Sequence, residues 1–219
     1  MLRKLVLLAF RLLYHELAWT YDLVAATVSM GQWRSWQRAA LPFLRGRQVL
    51  EVGHGTGNLL LDLCQGGFEP VGVDLSPRMG GIAQRKLRRG QDERARTVPL
   101  VRASVVALPF AAGSFPSLLS TFPTEYIGRP AAIAEFYRVL APGGVLVSVP
   151  AAQITGLSPS DRFADWLFRV TGQAANAPAT ADPWSPLLHR YAAAGFAARI
   201  EHVRLARSVV TVVVAEKPG

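Results

Sequence analysis

At 219 residues the chain is long enough for one α/β domain with a sizeable core and too short for two full domains. Half of the residues are hydrophobic, which excludes overall disorder; a lone cysteine, Cys64, excludes an internal disulfide and argues against a cysteine-based metal site. The formal charge of +9 admits an anionic partner, but much of the excess is one run, Arg85-Lys86-Leu87-Arg88-Arg89 with Arg94 and Arg96, that reads more simply as a solvated helix face, and no aromatic residues interleave to stack bases.

The chain opens MLRKLVLLAFRLLYHELAW. Arg11 interrupts the apolar run and no small-residue cleavage site follows, so a signal peptide is not expected. The run also falls short of the about 20 apolar residues that a membrane span needs. On a helix Lys4, Arg11 and His15 share one narrow stripe, with Leu5, Val6, Leu12 and Leu13 around the rest. Such an amphipathic helix either docks on the domain itself or lies in a membrane interface. Residues 1–40 are expected to form an N-terminal cover, with peripheral membrane contact through 1–18 as one of its uses. The single free cysteine suits a reducing cytoplasm.

Strand and helix signals then alternate. QVLEV (48–52) reads as a buried strand and 58–65 as a helix, followed by a strand at 70–74. SPRMGGIAQRKLRR opens with Ser76 as N-cap and Pro77 at the first helical position. Strands follow at 98–102 and 116–122. The helix AAIAEFYRVL stops at Pro142-Gly143-Gly144, and VLVSVP (145–150) is the fifth strand. SPLLHRYAAAGF repeats the Ser-cap, Pro-start, Gly-stop pattern, and 197–203 and 208–217 are placed to pair as an antiparallel hairpin. The expected fold is a doubly wound, mostly parallel seven-stranded sheet closed by that hairpin, filling residues 41–219. Residues 151–186 read as a lid-like insertion, with Phe163, Trp166, Leu167 and Val170 on one helical face before an Ala/Pro-rich loop.

The loop between the first strand and helix carries the strongest signal: VLEVGHGTGNLLLDL. Glycines at such a turn permit positive φ and let a ligand approach the backbone. The third glycine comes one residue too early for the dinucleotide fingerprint, Asn58 standing where that glycine is needed, and no phosphate-loop motif is present. The pattern Glu51-x-Gly53-x-Gly55-x-Gly57 resembles motif I of the class I S-adenosylmethionine-dependent methyltransferases. VGVDLSPRM, with Asp74 at a strand end, ALPFAAGSF (107–115) and FYRVLAPGGVLVSV (136–149) continue the resemblance. It covers residues 47–150 well and is nearest to the broad ubiquinone/menaquinone-biosynthesis-like group, with a Rossmann-like sheet.

The resemblance implies S-adenosyl-L-methionine as cofactor and assigns roles position by position. Glu51 would orient the loop and the methionine amino group, and Gly53, His54, Gly55, Gly57 and Asn58 would pass the methionine end. Asp74 would bind the ribose, with Leu75 and Met79 against the adenine. Ser104 stands where an acidic adenine ligand is common, which shifts that contact to a weaker hydrogen bond or to the backbone of Val105. Thr121 and Phe122 would lie beside the sulfonium, and Tyr21 would close over the cofactor carboxylate. His54, Glu125 and Tyr126 are the candidate bases; none shows an identifiable partner in the sequence. The apolar N-terminus with Trp19, Trp33 and Trp36 favours a hydrophobic or amphiphilic small-molecule acceptor. An RNA methyltransferase and a non-catalytic cofactor-binding protein stand as alternatives.

Overall fold

In the computed structural model the described residues are 26–27, 29–155 and 183–219. The expected helix at 1–18, Tyr21, Trp19 and most of the lid-like insertion, including Phe163, Trp166, Leu167 and Val170, lie outside them. The described chain runs α1 (Trp33–Arg38), a 3₁₀ turn (Leu41–Phe43), β1 (Gln48–Val52), α2 (Asn58–Gln65), β2 (Glu69–Asp74), α3 (Pro77–Arg89), α4 (Glu93–Arg96) and β3 (Leu100–Arg102). It continues with β4 (Phe115–Thr121), a 3₁₀ turn (Glu125–Gly128), α5 (Pro130–Val139), β5 (Leu140–Ile154), α6 (Ser185–Ala193), β6 (Ala197–Leu205) and β7 (Ser208–Glu216).

The seven strands form one sheet in the order β3-β2-β1-β4-β5-β7-β6. β3 through β5 pair in parallel, and β7 pairs antiparallel with both β5 and β6. Successive side chains of a strand point to opposite faces, and both faces here are apolar. Val49, Leu119, Val147 and Val212 enter one core with Trp33, Trp36, Leu59 and Leu63. Leu50, Leu118, Leu146 and Val213 enter the other with Phe136, Leu140 and Tyr191. This two-sided burial is what parallel strands covered by helices require. From β1 the chain crosses to β2 and β3 on one side and returns from β3 to β4 on the other, so a crevice opens beyond the carboxyl ends of β1 and β4.

Two elements differ from the sequence reading. The fifth strand begins at Leu140 and runs for 15 residues, because Gly143 at φ 71° lets the Pro-Gly-Gly stretch bend without leaving the sheet. Its register with β7 shifts between Ser148 and Ala151, where Pro150 cannot donate to the ladder. In α6, Ser185 is the first helical residue rather than the cap; Trp184 holds the cap position with no side-chain bond. Ser76 does cap α3, its Oγ accepting from Met79 N–H at 3.3 Å.

Residues 33–40 are built into the body of the domain. Trp36 is fully buried and its Nε1–H donates to Ser208 Oγ at 2.8 Å. Arg34 and Arg38 both clamp the buried Asp62 carboxylate of α2. α2 itself approaches α3 closely at Gly57, which has φ 80°; a Cβ there would stand 2.9 Å from the Cβ of Ala83. Gly67 has nearly the same φ, 82°, with open space around it. Gly67→Ala should therefore cost only the left-handed penalty, about 1–2 kcal/mol. Gly57→Ala should cost about 1–3 kcal/mol more from overpacking. Urea unfolding of both variants checks this, and equal losses would mean that α2–α3 contact does not demand the glycine.

Candidate functional site

β1 delivers the chain into the glycine loop at the crevice. Gly53, Gly55 and Gly57 all have positive φ, at 74°, 54° and 80°. Gly53 N–H donates to Val73 O at 2.7 Å, which ties the loop to β2. Asp74, at the end of β2, accepts from Gly55 N–H at 3.0 Å and from Ser76 N–H at 2.8 Å. A carboxylate has about four acceptor positions, so two remain. Gly55 faces open space in a cleft of about 580 Å³ that Gly53 and Asp74 also line.

Glu51 is the unusual member. It is 2% exposed near the carboxyl end of β1, and among the described residues its Oε2 has no hydrogen-bond partner. Burial, reinforced by the Asp74 and Asp62 carboxylates, pushes its pKa well above the ordinary carboxyl range. An unpaired buried carboxyl is costly and rare. A cationic donor arriving at the loop would supply the missing partner.

The cleft's outer half is flanked by Leu75 and Val106, the two large hydrophobic side chains exposed among the described residues. Ser104 and Val105 line the same side; Ser104 Oγ is within 3.4 Å of Val106 N–H. Two apolar surfaces with polar backbone between them suit a flat heteroaromatic ring. Met79 does not join them. It is 1% exposed and packs inward at the start of α3, with Ala83 and Leu87 one and two turns on, so the helix spacing that sends those residues inward takes Met79 with them.

At the other end, β4 ends in Thr121 and Phe122. Phe122 has φ 48°, a strained value for a non-glycine residue. Its N–H donates to Val149 O at 2.7 Å and its ring stacks on Trp33 with centroids 4.1 Å apart. Thr121 Oγ1 accepts from Gln37 Nε2 at 3.0 Å. Tyr126 lines the cleft with its hydroxyl 2.7 Å from Ser120 Oγ and 3.2 Å from Val52 O. A Cβ on Gly53 would stand 2.6 Å from that hydroxyl, so glycine makes room for the phenol.

Of the candidate bases, only Tyr126 is brought to the cleft. His54 is buried against Gly72, and its Nδ1 lies 2.9 Å from Gly55 O, which fixes the proton on Nδ1 because a carbonyl only accepts. It lines a smaller cleft behind Asp74, and burial lowers its pKa against the pull of Asp74. Glu125 is exposed in the 3₁₀ turn and does not line the main cleft. Asn58 and Gly57 also stay outside: Asn58 Oδ1 accepts from Lys86 Nζ at 2.6 Å, and Gly57 serves the α2–α3 contact. Several cleft residues escaped the sequence reading, Val106, Arg102 and Arg129 among them. Val106 sits in a turn with no periodicity to mark it, and Arg102 closes β3, a strand whose last residue nothing in the sequence marks as part of a site. Arg129 carried a signal, a cation at a helix cap position where Ser, Asp or Asn is usual.

A family profile described as a methyltransferase domain matches residues 49–144. The chain is 36% identical over 141 residues to a demethylmenaquinone methyltransferase of Thermus thermophilus, covering 62% of each chain. It is 30% identical over 168 residues to a demethylmenaquinone methyltransferase of Renibacterium salmoninarum, covering 75% of this chain and 68% of that one. The match therefore spans only about two thirds of these relatives' length. A solved phosphoethanolamine N-methyltransferase of Haemonchus contortus in complex with S-adenosyl-L-methionine superposes with TM-score 0.60 at 17% identity, over 86% of this chain and 53% of that one; this supports the fold alone. The chain belongs to the class I S-adenosylmethionine-dependent methyltransferases, of the ubiquinone/menaquinone-biosynthesis type.

For a methyltransferase of this class the residues present fit the cofactor. The orphaned Glu51 oxygen suits an ammonium group, the open space at Gly55 suits an approaching chain, and the two free acceptor positions of Asp74 suit a diol. Among the described residues no cluster could hold a metal ion, and no helix is long and apolar enough to cross a membrane.

The Glu51 burial has a pH consequence in the unliganded protein. Its folded pKa is raised, so above an ordinary value near 4.5 the unfolded chain releases a proton that the native state keeps. Stability should fall as pH rises from there to the folded pKa, and level off beyond it. Glu51→Gln should therefore melt higher than the wild type at pH 8, by at least about 2 °C, with the difference vanishing towards pH 4. Calorimetric melting across that range checks it; a lower melting temperature for Glu51→Gln at pH 8 would mean that the ionised carboxylate stabilises the empty fold.

Proposed function

We propose that the chain methylates a small, ring-bearing hydrophobic or amphiphilic acceptor of the quinone-precursor kind, with S-adenosylmethionine as donor. The observation that carries this reading is the buried Glu51 carboxyl, its Oε2 unpartnered among the described residues, beside a left-handed glycine loop that opens on the cleft. The names of its relatives, demethylmenaquinone methyltransferases, support the acceptor class. When bound, the cofactor supplies an electrophilic methyl group on a sulfonium.

The chain's own residues bind and orient. Glu51 holds the ammonium end and Gly53 and Gly55 let the backbone come close. Asp74 takes the ribose hydroxyls while it keeps the loop in place. Leu75 and Val106 enclose the base, with Ser104 and Val105 at its edge. Thr121 and Phe122 face the reacting end, and Trp33 and Phe122 supply an apolar wall. Positioning of this kind contributes about 7–11 kcal/mol to a bimolecular reaction. The described acceptor end offers hydroxyls and an arginine but no carboxylate or imidazole, so the acceptor's proton passes to solvent. We place the chain in the cytoplasm, with residues 1–18 available to meet a membrane that holds a lipid-soluble acceptor.

Radiolabelled cofactor offered with a demethylated naphthoquinol and, separately, with bulk tRNA tests the reading. Label is expected in the organic extract; label in tRNA alone would transfer the function to RNA, and cofactor binding without transfer to either would favour a non-catalytic protein. Asp74→Ala should weaken S-adenosylhomocysteine binding by about 1.5–3 kcal/mol in calorimetric titration. An unchanged dissociation constant would assign the ribose to another residue.

A further inference from the structure

We propose that the acceptor end of the cleft is an oxyanion site built on Arg129, so that the acceptor binds as a phenolate or enolate rather than as a neutral ring. The inference rests on the methyltransferase reading above and adds the ionisation state of the acceptor. Arg129 lines the cleft and is exposed, and among the described residues no carboxylate pairs with it. The arginines around it are engaged: Arg102 donates to Leu75 O, Arg190 to Gly128 O, and Arg138 pairs with Glu135.

Arg129 does nothing for the helix it precedes. It occupies the N-cap of α5 without a side-chain cap bond, where a short polar acceptor would stabilise the helix start. A positive side chain there also opposes the helix macrodipole. A cation kept at a position that works slightly against folding, and turned towards a cleft, points to an anionic ligand.

The charge layout of the cleft agrees. The carboxyls, Glu51 and Asp74, lie at the glycine-loop end, and among the described residues the acceptor end has no carboxylate or imidazole base, its Tyr126 hydroxyl being held at Ser120 and Val52. A site without a base can still favour an ionised nucleophile by placing a fixed positive charge beside it, which lowers the pKa of a phenol. Thr121 adds a donor. Gln37 Nε2 donates to its oxygen, which leaves the hydroxyl proton of Thr121 for the cleft. No bond is made at Arg129; the phenol's proton leaves to water and the guanidinium holds the oxygen that remains.

The test uses the full chain saturated with S-adenosylhomocysteine and 2-naphthol as the probe, with its ionisation followed by absorbance. Bound naphthol should ionise at lower pH than free naphthol, corresponding to about tenfold preference for the anion. Arg129→Gln should abolish the preference, Arg129→Lys should keep part of it, and all three proteins should bind S-adenosylhomocysteine alike. An unshifted ionisation in the wild type, an equal shift in Arg129→Gln, or no naphthol binding would overturn the proposal. Failure of the wild type to bind S-adenosylhomocysteine would instead remove the reading beneath it, and the proposal with it.

Discussion

A carboxyl group buried near the carboxyl end of β1, with one oxygen unpartnered among the described residues, is the constraint around which the site is arranged. Leaving Glu51 so costs stability that the rest of the sheet must supply. The loop that follows keeps three left-handed glycines, with Gly53 N–H tied to β2 and Gly55 N–H tied to Asp74. The binding edge is thus ordered before anything binds. A ligand with a cation at one end and hydroxyls further along would meet groups that need not move, which lowers the ordering cost of association.

The acceptor end is held differently. Phe122 carries a strained backbone, a feature that costs about 1–3 kcal/mol and persists only where its surroundings enforce it. Here the enforcement comes from the hydrogen bond to Val149 O and from stacking on Trp33. Trp33 is in turn fixed by its place on α1, which the Asp62 clamp with Arg34 and Arg38 secures to α2. The segment before β1 is therefore mechanically joined to the end of β4. Changes in that segment should reach the acceptor end without touching the glycine loop.

Much of this was legible in the chain. The parallel core could be read because fully buried strands and capped helices leave strong local marks, as at Ser76-Pro77 and in the hairpin of β6 and β7. The glycine loop and Asp74 were legible because backbone conformation and strand-end position depend on few residues. Met79 and His54 do not line the main cleft, for a common reason: both lie close to it in sequence, and their direction is decided by packing, on the inner face of α3 and against Gly72. The third glycine had a steric duty towards Ala83 that no local pattern announces. Val106 and Arg129 belong to the cleft through the way loops after β3 and β4 converge, and that convergence is a tertiary fact.

The claim at the centre is that burial holds the Glu51 pKa well above its ordinary range while the loop is empty, and that the group becomes the counter-ion of an ammonium when the cofactor site fills. Titration of S-adenosylhomocysteine at a series of mildly acidic to neutral pH values, in buffers of different ionisation enthalpy, measures it directly by counting protons. The wild type should release protons on binding, and Glu51→Gln should release almost none. Binding to the wild type with no proton release, or equal release by both proteins, would contradict the account.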